Sequence, residues 1–285
     1  MTSISHHPVI RYRIAPHGRE NLSAPDTDSL AVEEPLEIRL GGHRFTVTMR
    51  TPGHDEDLVA GFLLSEGFVS VIGEISEIRR VMDRQGRPEL NIVDVILNVP
   101  ADSLRKRLRR NFAISSSCGL CGRTTIESIR SRITPITGTI VLPATLLMSF
   151  APRMRKSQEI FASTGGLHAA ALFLRGQDGD ARESNAGADV VREDIGRHNA
   201  VDKAIGHAMR AGMTPLARAV MMVSGRLSFE IVQKTAVAGV PILAGVSAPS
   251  SLAIELADET GITLIGFMRE GGFNLYSHAE RIAIA

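Results

Sequence analysis

The apolar positions along this chain change period several times, and each change marks a different kind of element. In PLEIRL and HRFTVTM they alternate with polar residues on either side of Gly41-Gly42, the pattern of a β-hairpin closed by a tight turn. Thr51-Pro52-Gly53 ends the second strand. Asp55, Glu56 and Asp57, which suit the positive end of a helix, then open an apolar-periodic run of Leu58, Val59, Phe62, Leu63 and Leu64 that stops at Gly67. Residues 75–99 return to strand character, as two strands joined by the turn DRQGRP. SLRKRLRRNF reads as a short helix with five basic residues from Arg105 to Arg110, and ISSSCGLCGRTTIESIRSRI as a loop entering a helix marked by Ile126, Ile129 and Ile133.

From about Pro152 the pattern becomes a regular alternation of short apolar runs and helical segments. HAAALFL, ADVVREDIG, ARAVMMVSG, PILAGVS and ITLIGFM read as strands; RHNAVDKAIGHAMRAG, SFEIVQKTAVAG and SSLAIELADETG read as helices, the last two ended by Gly239 and Gly261. Apolar runs separated by helices of this length predict parallel strands with crossover helices, an α/β sheet covered on both faces. The expected organisation is a mobile leader over residues 1–30 lending one strand (VIRYRI), an N-terminal α+β domain over 31–145, and an α/β domain over 146–285. No internal repeat is visible.

Composition narrows the function classes. The net charge is +1, aromatic residues make up 4% and tryptophan is absent, which disfavours a nucleic-acid partner. There is no run of eighteen apolar residues and no apolar signal-peptide core, so no membrane partner and a cytoplasmic location are expected. In that compartment a structural disulfide is a poor explanation for the two cysteines of the chain, Cys118 and Cys121.

A C-x-x-C pair without other thiols is a redox dithiol, half of a zinc site, or a reactive thiol with a helper. Zinc would need His168 or His198 from far along the chain. The deaminase signature H-x-E followed by P-C-x-x-C is reversed here, and His168 is followed by Ala169 and Ala170 instead of a glutamate, so no metal site is expected. A thioredoxin-like dithiol would follow an early strand in a shorter βαβ unit. What remains is a nucleophilic thiol: Cys118, near a helix start with Arg123 and the basic run upstream, would have its thiolate favoured by positive potential. That basic run is otherwise a solvated helix face.

Ligands of open α/β sheets bind beyond the carboxyl ends of the strands. The loops there carry Ser224-Gly225-Arg226, Ser247-Ala248-Pro249-Ser250-Ser251 and Arg269-Glu270-Gly271-Gly272, with small, hydroxyl-bearing and basic residues that suit a phosphate, or serines that only cap helices. Neither G-x-G-x-x-G nor a Walker A sequence is present. His168 and His198 are ordinary hydrogen-bonded histidines unless a neighbour engages them, and RHNAVDK crowds Arg197, His198, Asn199, Asp202 and Lys203 into the opening turns of one helix, as a site or as a solvated face. Met209, Met213, Met221 and Met222 read as core filler.

Taken together, SSSCGLCG, EEPLEIRLGG, TPGHDEDLVAGFLLSEG, STGGLHAA, DIGRHNAVDKAIG, SGRLSFEIVQK, GVPILAGVSAPSSLAIELA and GFMREGGFNLYS resemble the formate dehydrogenase accessory sulfurtransferase family, FdhD, across residues 30–277. The resemblance implies an α/β fold with a cytidine-deaminase-like three-layer core, and a sulfurtransferase. Such a protein takes persulfide sulfur from a cysteine desulfurase and passes it to the molybdenum or tungsten bis(pterin guanine dinucleotide) cofactor before that cofactor enters the formate dehydrogenase apoenzyme. It implies Cys118 as the persulfide residue, with Cys121 beside it, and Phe267, Met268, Arg269, Glu270, Gly271 and Gly272 as the cofactor-binding segment, where a guanine nucleotide could also sit. Ser224, Arg226 and Ser247 complete the expected binding set, and a homodimer is implied. A cofactor- or apoenzyme-binding chaperone and a zinc enzyme of deaminase ancestry remain as other readings.

Overall fold

The polar leader pairs with itself. β1 (Ile4–Val9) and β2 (Tyr12–Ile14) run outward, and β3 (Glu20–Leu22) and β4 (Asp26–Ala31) return antiparallel to them, Ile4 opposite Ala31 and Tyr12 opposite Leu22. Where one strand over VIRYRI was expected, the two ends of that stretch belong to two strands, β1 and β2. The ribbon is held by backbone pairing, and at its base by the Ser3 hydroxyl donating to the Pro52 carbonyl (2.9 Å) and the Val32 N–H donating to the Ser3 carbonyl (3.0 Å). No residue of β1 or β4 is fully buried, so the alternation that reveals a half-buried strand is weak there. The computed structural model describes residues 2–10, 12–14, 20–22, 26–100, 130, 133–137, 140–175 and 188–283. Cys118, Cys121, the basic run Arg105 to Arg110 and the helix expected after the cysteines lie outside the described residues.

β5 (Glu34–Leu40) and β6 (His43–Arg50) form the expected hairpin, with Gly41 and Gly42 at φ 59° and 82°, as a two-residue type I′ turn requires. After helix α1 (Asp55–Ser65) come β7 (Ile75–Met82) and β8 (Pro88–Leu97), and the four strands form a sheet in the order β6-β5-β8-β7. Leu36, Ile38, Val93 and Val95 of this sheet are buried in one apolar cluster with Leu58, Val59 and Leu63 of α1. α1 is buried around most of its circumference because its other side packs on a helix of the second sheet described below.

The chain next forms β9 (Leu142–Pro143) and three short helices, α2 (Ala144–Met148), α3 (Phe150–Lys156) and α4 (Glu159–Thr164). The main sheet follows: β10 (His168–Leu174), β11 (Val190–Asp194), α5 (Arg197–Arg210), β12 (Ala219–Val223), α6 (Phe229–Val237), β13 (Ile242–Gly245), α7 (Ser251–Thr260), β14 (Thr263–Arg269) and β15 (Gly272–Ser277), after which β16 (Ile282–Ala283) pairs with β9. Its order is β11-β10-β12-β13-β14-β15. β12, β13 and β14 are parallel neighbours, and β11 points the same way, but β10 is inserted antiparallel between β11 and β12, and β15 returns antiparallel on β14. The expected parallel sheet is therefore a mixed one. Apolar runs buried on both faces look alike in either direction, so strand sense was not readable from them.

Alternate residues of β12 face opposite layers. Met221 and Val223 join the cluster of α1, α5, α6 and α7, while Val220 and Met222 join Leu147, Phe150 and Met154 of α2 and α3. Phe150 stacks on Phe173 of β10 with ring centroids 3.9 Å apart. The result is a mixed α/β body with helices on both faces of the main sheet, whose first apolar cluster runs without a break from the small sheet through α1 into the main sheet.

Candidate functional site

Three loops leave the carboxyl ends of β12, β13 and β14 and are knitted to one another. Leu227 N–H donates to the Ala248 carbonyl (3.1 Å), Ser250 N–H to the Leu227 carbonyl (3.0 Å) and Phe267 N–H to the Ser247 carbonyl (3.2 Å). The Arg269 guanidinium donates to the Val246 carbonyl (2.6 Å) and to the Met268 carbonyl (2.8 Å), which pins it over the end of β13. Of the serines at these loops, Ser250 caps α7, accepting the Ala253 N–H at 3.2 Å. Ser224 instead accepts the Ala169 N–H at 2.8 Å, which leaves its own hydroxyl proton for another partner.

Beside these loops lies a cavity of about 650 Å³. Ser224, Met268, Arg269 and Glu270 line it, as does His168 at the start of β10; Arg226, Ser247, Phe267, Gly271 and Gly272 are not among its lining residues. Met268 is a buried core residue, 1% exposed, so it contributes apolar wall and no polar contact. Phe267 is the reverse case. It is 42% exposed and holds a left-handed φ of 53° in an irregular stretch of the β14–β15 pairing between Gly266 and Arg269. For a bulky residue that conformation costs about 1–3 kcal/mol, and such strain concentrates at ligand clamps.

The opposite wall comes from α3, α4 and the glycines after them, a stretch to which sequence reasoning assigned no role. Arg155 stands over the Phe161 ring at 3.9 Å, and both line the cavity with Gln158. Phe161 is set by Glu193 of β11, whose carboxylate accepts the Ile160 and Phe161 N–H groups at 3.0 and 2.8 Å and so caps α4. The sequence trace of this wall is faint. It is one arginine and one phenylalanine on short helices, and only the fold carries them to the strand ends.

The crowded RHNAVDK stretch divides in two. Asp202 and Lys203 are 2% and 1% exposed, which excludes a solvated face. Lys203 Nζ lies 2.7 Å from Asp194 and donates to the Thr51 carbonyl (2.8 Å), while Asp202 accepts from Ser65 (2.8 Å) and Lys234 (2.9 Å). Burial pushes the Asp202 carboxyl up to about 6, and against the downward pull of its own burial the Asp202 and Glu66 carboxylates hold the Lys234 ammonium above its ordinary range. These ions tie the segment around Thr51 and α1 to the main sheet. Arg197 and His198, by contrast, sit at the opening of α5 near the strand ends. Burial, with Arg197 and Lys234 nearby, lowers His198 to about 4. Burial and the positive Arg197 and Arg226 lower His168 as well, against the pull of Asp194.

A second cavity of about 460 Å³, lined by Ser65, Ser70, Thr134 and Gln233 among others, lies at the end of α1 against α6. Among the described residues no three His, Asp or Glu side chains converge as a metal site would need, and no helix is long and apolar enough to cross a membrane.

What this arrangement can do chemically is hold an anion of nucleotide size: the volume is in the range of small-molecule sites, and its walls carry arginine forks, a free hydroxyl and an aromatic face. A sequence model of the FdhD/NarQ family matches residues 31–283. A protein from Mycolicibacterium paratuberculosis named sulfur carrier protein FdhD is 47% identical over 265 residues, 92% of this chain and 93% of its own. One of the same name from Sulfurisphaera tokodaii is 40% identical over 267 residues, 93% of this chain and 95% of its own. The crystal structure of a protein described as a formate dehydrogenase accessory protein from Desulfotalea psychrophila superposes with a TM-score of 0.70 at 25% identity, covering 98% of this chain and 99% of that one. Continuous in sequence from the small sheet to the last strand, and matched in architecture, the chain belongs to the FdhD/NarQ family.

Proposed function

We propose that this protein is a sulfur carrier in formate dehydrogenase maturation, a sulfurtransferase working through a persulfide on Cys118. The Cys118 thiolate attacks the outer sulfur of a persulfide on a cysteine desulfurase. A new S–S bond forms, the donor's S–S bond breaks, and the donor cysteine leaves as its thiolate. The sulfur then passes to the molybdenum bis(molybdopterin guanine dinucleotide) cofactor, held as cargo before it enters the apoenzyme. This chemistry belongs to the reducing cytoplasm, where a persulfide must be shielded until delivery, and the mixed α/β body is read as a three-layer, cytidine-deaminase-like core.

The observation that carries the reading is family membership combined with one cavity at the strand ends lined by Ser224, Met268, Arg269 and Glu270. The fit to a nucleotide-bearing cargo rests on the cavity's own chemistry. Arg155 and Arg269 make no ion pair among the described residues, the Ser224 hydroxyl is free to donate, and about 650 Å³ takes one guanosine diphosphate arm and not the whole cofactor.

The test is sulfur loading. Incubated with a cysteine desulfurase and cysteine, the protein gains the mass of one sulfur that reductant removes, and Cys118→Ala abolishes both that gain and formate dehydrogenase activation. A Cys118→Ser/Cys121→Ser double variant that still activates the enzyme fully refutes the carrier and leaves a non-catalytic, cofactor-binding chaperone in its place.

A further inference from the structure

We propose that the cavity of about 460 Å³ between α1 and α6 is a binding site for a small alkylammonium ion, whose N–H groups are received by the Ser65 carbonyl, the Gln233 amide oxygen and the Ser70 and Thr134 hydroxyls. The site lies apart from the strand-end cavity and shares none of its lining residues. It stands independently of the sulfur-carrier reading, which leaves the residues of this cavity without a role.

Acceptors outnumber donors in this cavity. Gln233 lines it and is only 8% exposed, yet its one hydrogen bond among the described residues runs from Nε2 to the Ser65 carbonyl at 3.5 Å, at the limit of such a bond. Its Oε1 receives nothing, and a buried amide oxygen left in that state calls for a donor. The Ser65 carbonyl, at the end of α1, also has only that long contact, because the N–H groups that follow it turn elsewhere. Gly67 donates to Leu64, Phe68 and Val69 donate to Leu63, and Ser70 donates to the Glu74 carboxylate at 2.6 Å. Neither the Ser70 nor the Thr134 hydroxyl makes a hydrogen bond among the described residues.

The local potential favours a cation. Ser65, the last residue of α1, and Val237, the last of α6, both line the cavity, so the negative poles of two helices meet there. α1 carries three acidic residues in its first turn and no basic residue in its last. Among the charged side chains bonded to the cavity's serines, carboxylates prevail. Asp202 accepts from the Ser65 hydroxyl (2.8 Å) and Glu74 from the Ser70 N–H, while Lys234, which donates to Ser65 Oγ (2.8 Å), is also held by Asp202 (2.9 Å) and Glu66 (3.0 Å). An anion would face oxygens that only accept, whereas an ammonium turns three N–H donors to them. Leu64, Val69 and Val237 add an apolar side that suits a short alkyl chain, and the volume is that of a small-molecule site, far beyond the needs of a bare metal ion.

The experiment titrates n-butylammonium, n-butanol and butyrate into the full-length wild type at neutral pH and constant ionic strength, followed by ligand-observed NMR, and repeats the titration on Gln233→Met, Thr134→Val, Ser70→Lys and Ser70→Gln. Thermal unfolding reports on the fold of each variant. The wild type is expected to bind butylammonium about tenfold or more tighter than butanol or butyrate, the worth of a charged hydrogen bond. Gln233→Met weakens butylammonium by about the same factor, and Thr134→Val weakens it as well. Ser70→Lys, which brings a competing ammonium to the rim, abolishes binding, while Ser70→Gln, long but uncharged, retains it. Gln233 is buried, so if its variant does not fold, the exposed positions Ser70 and Thr134 decide. Equal affinities for butylammonium and butanol overturn the site, as does a Ser70→Lys protein that binds as tightly as wild type. Displacement by an equal concentration of potassium overturns it in favour of a bare-cation site, and a wild type that binds none of the probes overturns it outright. Sulfur loading at Cys118 is read separately by mass and is untouched by either result.

Discussion

Helices α1 and α5 cross where Gly61 faces Gly206, and adding one methyl group at Gly206 tests how the two sheets are joined. A Cβ at that position would overlap the Asp57 carbonyl oxygen and stand 2.6 Å from the Gly61 nitrogen and 2.7 Å from the Asp57 carbonyl carbon. Ordinary contacts between such atoms are about 3.5 Å, so the helices would have to part by about 1 Å. Forced overpacking of that kind costs about 1–3 kcal/mol. The same seam carries charged hydrogen bonds, from Arg192 to Asp57 (2.9 Å), from Arg210 to Asp57 (2.7 Å) and from Ser65 to Asp202 (2.8 Å), and stretching them adds about 1–2 kcal/mol. Against this, alanine is favoured over glycine within a helix by about 1 kcal/mol. The expected net effect of Gly206→Ala is a loss of about 1–4 kcal/mol. Urea unfolding monitored by circular dichroism measures it, with Gly73→Ala as control, since nothing lies within 4 Å of a Cβ built there. Helix propensity alone predicts the opposite sign, so a Gly206→Ala protein as stable as wild type, or more so, refutes the close crossing.

Two further outcomes concern a buried ion pair and a partly buried histidine. Lys203→Met strands the Asp194 carboxylate, which is 0% exposed and lies 2.7 Å from the lysine, and should destabilise the fold by about 3–5 kcal/mol in the same urea assay; a loss below 1 kcal/mol would show that the pair is dispensable. His198, lowered from 6.5 to about 4, binds its proton more weakly folded than unfolded, so its contribution to stability is unaffected above pH 6.5 and is lost progressively as pH falls towards 4. The full shift corresponds to about 3 kcal/mol, reduced to about 1–2 kcal/mol because the imidazole is 35% exposed. His198→Gln should remove that part of the slope between pH 7 and pH 4.5, and an unchanged slope would assign the acid sensitivity to other groups.

The elements were largely legible in sequence because their signals are local. Gly41-Gly42 demands a tight turn, the acidic start and apolar period of Asp55 to Leu64 demand a helix, and Gly239 and Gly261 end helices where the left-handed φ they adopt, 75° and 77°, comes most easily to glycine. The leader ribbon was less legible, since β1 and β4 bury no continuous face. The candidate site was half legible: Ser224, Met268, Arg269 and Glu270 stand in loops after strands, where ligands of α/β sheets bind, and all four line the cavity. Arg155 and Phe161 were not, because their short helices reach the strand ends only when Glu193 of a distant strand caps α4.

By itself the sequence determined most strands of the main sheet and the three helices between and before them, though not α2, α3 and α4, together with the family resemblance and Cys118 as the thiol expected to carry sulfur. Only the tertiary structure decided the rest. Strand direction depends on which neighbours share hydrogen bonds, and so β10 could enter antiparallel without altering its apolar pattern. The buried pairing of Asp202 and Lys203 depends on Lys234, Ser65 and Asp194, none of which lies in the same turn of helix. The approach of His168 and Arg197 to the Gly225 turn has the same cause, because these residues stand far apart along the chain and come together only once it has folded.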